Sequence, residues 1–225
     1  MKKFSPLLLL LASILFLPNA SGLGNLKKSE VSLGLKEALI IGAKSAASRA
    51  SRVNGYYKNP LIFIPFPPEA KMMKQTLEAL GFKNQIRQFT KKLNRAAEQA
   101  AKKAAPIFIQ AIKGLTVQDA VGILRGPDNA ATRFLQRKTS RQLTRKFRPV
   151  VRHAINKVHL TQYWNPLVRR YNQVPFVKKV NPNLDDYVTQ RAVSGLFKLI
   201  AREEKKIRKN PAARVTDILR RVFGS

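Results

Sequence analysis

Arginines stand at positions 133, 137, 141 and 145, a strict four-residue step, and Arg148 and Arg152 follow them. Guanidinium groups hold phosphate and carboxylate oxygens through two parallel hydrogen bonds, so such a row suits anion binding rather than bond-breaking chemistry. On a helix each four-residue step rises about 6 Å and turns about 40°. With Arg133 at zero, all six arginines fall within one arc of about 120° and extend over about 28 Å. Leu143, Phe147, Val150, Ala154 and Val158 fall at about 260–340° on the same wheel, so one face suits a core and the other suits anions. Phosphates along a nucleic-acid strand are spaced on the order of the same 6 Å, and lipid phosphates are electrostatically equivalent.

Other side chains give little support to catalysis. Paired-carboxylate hydrolysis needs two acids facing across a cleft, whereas Asp185-Asp186 and Glu203-Glu204 are sequence neighbours that point about 100° apart on a helix. His153 and His159 are not at the three- or four-residue step of helical metal ligands. There is no cysteine, Gly-rich phosphate loop, GxSxG or HExxH. A non-enzymatic protein without metal or cofactor is therefore expected. Asn94, Arg95 and Glu98 in "LNRAAEQA" form a candidate polar cluster, for which an ion-paired helix face is the simpler explanation. Tyr56, Tyr57, Tyr163 and Trp164 are candidates for base stacking, although packing is the commoner use of such residues.

Charge narrows the partners. The chain has 43 lysines and arginines against 12 acids, a formal +31. Self-repulsion on this scale disfavours a compact state, so a gain in binding or localisation is expected in return. The matching partners are nucleic acid, lipopolysaccharide or phospholipid head groups, or acidic polysaccharide, bound without sequence preference; an idle basic surface is the plain alternative. Further cations on the segment from Lys83 and on the last helices, Lys198 and Arg202 among them, would extend the surface if they converge. Glu30, Glu69, Asp119, Asp128, Asp185 and Asp186 fall near predicted helix starts, where they complement the helix dipole. Glu98, Glu204 and Asp217 each lie four before a cation, Lys102, Arg208 and Arg221, in the favourable order for helix pairs.

The elements that must position these groups are nearly all helices. Residues 1–22 have a basic start, an apolar run and small residues at the end, the pattern of a secretory signal peptide cleaved after Gly22, which predicts a periplasmic or secreted protein. Without cysteine there is neither a disulfide nor a lipoprotein anchor. No second run of roughly 20 apolar residues follows, so no membrane-spanning segment is expected after signal removal. Residues 23–225 are expected to form a single all-α, multi-helix domain, with a short extended or β segment near 61–66 between closely spaced prolines. Ser29 is expected to cap a helix through Arg52 that Asn54-Gly55 ends, and Pro68 with Glu69 to start one through Leu80 that Gly81 closes. The segment from Lys83 to Lys103 has helical periodicity, and Pro106 is expected to interrupt it before a continuation to Lys113. Thr116 with Asp119 suggests a cap for a helix ending near Arg125. Pro149 is expected to kink or divide the arginine helix. Helices over 166–172, 184–209 and 212–223 complete the list. The oligomeric state is not legible.

The segments "NPLIFIPFP" (59–67), "LNRAAEQA" (93–100), "DAVGIL" (119–124), "DNAATRF" (128–134) and the ending from "YVTQRAVSGLFKLIAREEKK" onward resemble the bacterial exported family known as domain of unknown function 4197. The resemblance covers nearly all of the chain after residue 22. It implies an exported, mainly helical, single-domain protein of a Gram-negative envelope, and supplies no activity or catalytic residues to carry over. This chain looks far more basic than the usual family pattern and lacks the cysteine of lipoprotein-like relatives. The expected function is non-catalytic binding of polyanions, a nucleic-acid backbone or an anionic glycolipid, through Arg133, Arg137, Arg141, Arg145, Arg148 and Arg152. The alternative is an envelope-associated scaffold or chaperone-like protein whose basic surface docks on anionic lipid or lipopolysaccharide.

Overall fold

The computed structural model describes residues 27–116, 123, 126–180 and 183–223. Among these residues the chain is all-α and contains no strand. Its helices are α1 (Lys28–Ser51), α2 (Lys71–Ala79, entered through a 3₁₀ turn at Pro68–Ala70), α3 (Lys83–Ala101), α4 (Ala104–Lys113), α5 (Ala130–Lys157), α6 (Leu160–Asn172), α7 (Asp185–Lys209) and α8 (Asp217–Phe223). Residues 1–22, expected to be a signal peptide, and most of the helix expected to end near Arg125 lie outside the described residues.

Helix α7 is the centre of the fold. It buries a broad face, from Val188 and Ala192 through Leu196, Phe197 and Ile200 to Ile207, leaves Arg191, Lys198, Arg202 and Lys205 exposed on the other side, and packs against α1, α3 and α5. An apolar face that wide needs more than one helix to cover it. α5 runs antiparallel to it: Arg152, near the end of α5, meets Asp185 at the start of α7, and Thr132, at the start of α5, meets Glu204 near the end of α7. α1 uses small residues, Gly34, Ala38, Gly42 and Ala46, for close approach. A Cβ on Gly34 would lie 2.6 Å from Val222 Cγ2, so only glycine lets α8 seat there.

Prolines behave differently from the expectation at two places. Pro106 lies in the first turn of α4, where a missing N–H costs no helical bond, and the break falls earlier, at Lys102-Lys103. Pro149 does not divide α5, which continues to Lys157. Pro149 is exposed, so the carbonyl of Arg145 that loses its helical donor is on the watered side. Pro166 likewise falls inside α6, which starts six residues earlier than the predicted 166–172 helix. At the amino end Ser29 is not the cap; Glu30 Oε2 accepts from the Lys27 backbone N–H at 3.1 Å.

The 61–66 segment keeps the alternation of a strand without joining a sheet. Ile62, Ile64 and Phe66 are buried while Leu61, Phe63 and Pro65 face outward. Its partner is a side chain: Asn94 Oδ1 accepts from Ile64 N–H at 2.9 Å, and Asn94 Nδ2 donates to Ile64 O at 2.8 Å. One amide thus satisfies the donor and the acceptor that a neighbouring strand would have satisfied.

Candidate anion-binding face

Seven residues of α5 form its buried seam at a four-residue step: Ala131, Leu135, Thr139, Leu143, Phe147, Val151 and Ile155. Val150 and Val158, expected on this face, are only half-buried, because the seam follows the four-residue ridge rather than straight helical spacing. Arg133, Arg137, Arg141 and Arg145 are each offset by two positions from a seam residue, about 200° round the helix. The step of the arginine row is therefore the solvent-side image of the core seam, and all six arginines are exposed.

The row divides in two. Arg148 is ion-paired with Asp186, and Arg152 Nε lies 2.6 Å from Asp185 Oδ2, so these two are matched by the protein's own acids at the start of α7. Arg133, Arg137, Arg141 and Arg145 have no carboxylate partner among the described residues; Arg137 lies over the Phe134 ring at 6.0 Å. An open groove of about 850 Å³ runs beside Lys138, Arg141, Arg145 and Arg148 to Gln190 on α7. Arg133 and Arg137 border a second hollow of about 490 Å³ with Phe134 and Pro127. Lys138 was absent from the predicted set, although it falls at about 140° on the same wheel, just beyond the arginine arc.

The acids explain why cations are left over. Nine carboxylates among the described residues are ion-paired, three of them deep inside. Glu204, 3 % exposed, accepts from the backbone N–H groups of Ala131 and Thr132 at 3.0 and 2.8 Å and from the Thr132 hydroxyl at 2.6 Å. It also holds Arg208 at 2.9 Å, the predicted i,i+4 pair. A carboxylate from α7 thereby caps α5 across the core, a role that no local motif announces. Glu203 pairs with Arg49 of α1 at 3.0 Å. The pairings of Glu98 and Asp217 differ from the expectation: Glu98 binds Arg95 rather than Lys102, and Asp217 binds Arg220 at 2.5 Å rather than Arg221, which reaches Glu30. The hydrogen bond and charge of Arg220 hold the Asp217 carboxyl below the usual range.

Asn94, Arg95 and Glu98 do come together, as a structural lock. Glu98 Oε1 accepts from the backbone N–H groups of Tyr56 and Tyr57, each at 3.2 Å, and Arg95 Nη2 donates to Asn54 Oδ1 at 2.9 Å. Asn94 pins Ile64. Each polar group faces the 52–67 connector, not a cleft. Tyr56 is fully buried, its hydroxyl donating to Ala192 O at 2.8 Å, and burial followed by the nearby Glu98 charge drives its pKa far up. Trp164 is 1 % exposed, stacked on Phe89 with a ring separation of 4.6 Å. Neither of these two can stack a nucleic-acid base, which corrects that expectation; Tyr57 and Tyr163 are partly exposed.

No helix among the described residues is long and apolar enough to cross a membrane. No curated protein and no solved structure matches the chain. A family profile described as protein of unknown function (DUF4197) matches residues 25–224, and the chain belongs to that family.

Proposed function

We propose that this protein is an exported, non-catalytic binder of polyanions, and that Arg133, Arg137, Arg141 and Arg145 with Lys138 form its main contact surface. One observation carries the reading: these guanidinium groups are exposed along a single flank of α5 with no carboxylate among the described residues to neutralise them, while the core acids are consumed in holding the fold. Arg148 and Arg152, already engaged by Asp186 and Asp185, belong to the edge of the surface. Fixed positive charge of this kind attracts any phosphate-bearing polymer and does not read bases. The reading places the protein in the periplasm or outside the cell, where lipopolysaccharide and extracellular nucleic acid present such charges.

The test is the salt dependence of binding to duplex DNA, heparin and lipopolysaccharide. If the flank makes the contacts, Arg137→Gln/Arg141→Gln/Arg145→Gln lowers the log–log salt slope on duplex DNA by about 0.9 per lost phosphate contact. An unchanged slope removes α5 from the surface. Flotation with anionic liposomes separates the lipid-docking reading, since binding to nucleic acid alone gives no flotation.

A further inference from the structure

A cleft of about 570 Å³ lies where the Pro68–Ala70 turn, α6 and the start of α7 meet, on residues outside the arginine row. That volume is in the range of small-ligand sites, roughly 300–1,000 Å³. Its floor is apolar and aromatic, made by Ala70, Trp164, Tyr171 and Leu184, all buried.

The rim adds charge and anchors. Lys178 and Lys179 stand against Glu69 and Asp186, and Asp186 is already held by Arg148, so the charge facing a ligand is positive. Asn172 fixes the segment that carries the lysines, accepting from Val180 N–H at 3.0 Å and donating to Val180 O at 3.3 Å. Two residues before Lys178, Phe176 is fully exposed and adopts a left-handed backbone at φ 60°, an unusual conformation for a bulky residue. Met72, also on the rim, is 66 % exposed. Exposed apolar side chains beside lysines are the arrangement of a surface that meets lipid head groups.

We infer that this cleft takes one acyl chain of an anionic phospholipid on its apolar floor, with the phosphate held by Lys178 and Lys179. Phe176 and Met72 enter the surrounding lipid. The cleft adjoins the arginine groove through Gln190, which lines both.

Trp164 is the single tryptophan of the chain, so it reports the cleft directly. The full protein is titrated, below the micelle concentration, with short-chain phosphatidylglycerol brominated on its acyl chains. Saturable quenching of Trp164 is expected, and short-chain phosphatidylcholine carrying the same bromines should need about tenfold more lipid for half-saturation. Lys178→Glu/Lys179→Glu, two exposed changes that leave the core intact, should raise half-saturation by phosphatidylglycerol about tenfold. Absence of saturable quenching overturns the inference, as does equal quenching by the two lipids or by the double variant. A protein that still binds DNA or heparin but is not quenched loses the cleft and keeps the arginine face; quenching in a protein that ignores both supports the cleft alone.

Discussion

Helix α5 is charged in two ways that have opposite consequences. At its first turn, buried Glu204 satisfies two backbone donors and a hydroxyl while Arg208 neutralises it, so charge there fixes where one helix begins relative to another. Along its outer flank, Arg133 to Arg145 have water on one side and the seam on the other, and no carboxylate among the described residues pairs with them. A charge removed from water must be fully partnered, whereas an exposed one is held only weakly by its neighbours. The difference separates charges that build this molecule from charges that remain free to act on another one.

The comparison is broken most severely at the buried end. Glu204→Ala leaves Arg208 and the α5 amides without their acceptor and should cost about 3–5 kcal/mol in urea unfolding. Next, Asn94→Ala deprives Ile64 of both its partners and should cost about 2 kcal/mol by the same measurement. Tyr56→Phe should cost about 1 kcal/mol near neutral pH through the lost bond to Ala192. Because the folded pKa of Tyr56 is raised, the unfolded chain gives up that proton first, from pH 10.0 upward. Stability should therefore fall as pH climbs past this value, and less so in Tyr56→Phe, as followed by the urea midpoint. On the outer flank, Arg137→Gln/Arg141→Gln/Arg145→Gln should change stability by no more than about 0.5 kcal/mol despite its effect on the salt slope. The finest test compares Arg152→Gln with Arg141→Gln: breaking the Asp185 pair should cost less than about 1 kcal/mol, and only Arg141→Gln should alter the DNA salt slope clearly.

Much of the fold was legible because helix periodicity and end signals are local. Gly81, at φ 88°, closes α2 as its position after Leu80 suggested, and Asn54, at φ 68°, follows the end of α1. Asp185 and Asp186 do occupy the first turn of α7. Pro149 misled because its effect depends on which way the freed carbonyl faces, and that is set by packing. The alternation in 61–66 was visible, yet its partner was an asparagine side chain thirty positions away. The exposed arginine arc was also legible from spacing alone, but its division into free and matched halves was not, since Asp185 and Asp186 are remote in sequence from Arg148 and Arg152.

The sequence by itself determined an all-α chain of high positive charge and placed six arginines on one side of a helix, because composition and residue spacing act within a few turns. Only the tertiary structure decided which charges meet: Glu204 at the start of α5, Glu98 beneath the connector, two aspartates against the last two arginines, and Trp164 under a cleft. Those outcomes depend on helices brought together from distant parts of the chain, where burial demands a partner for each polar group and exposure demands none.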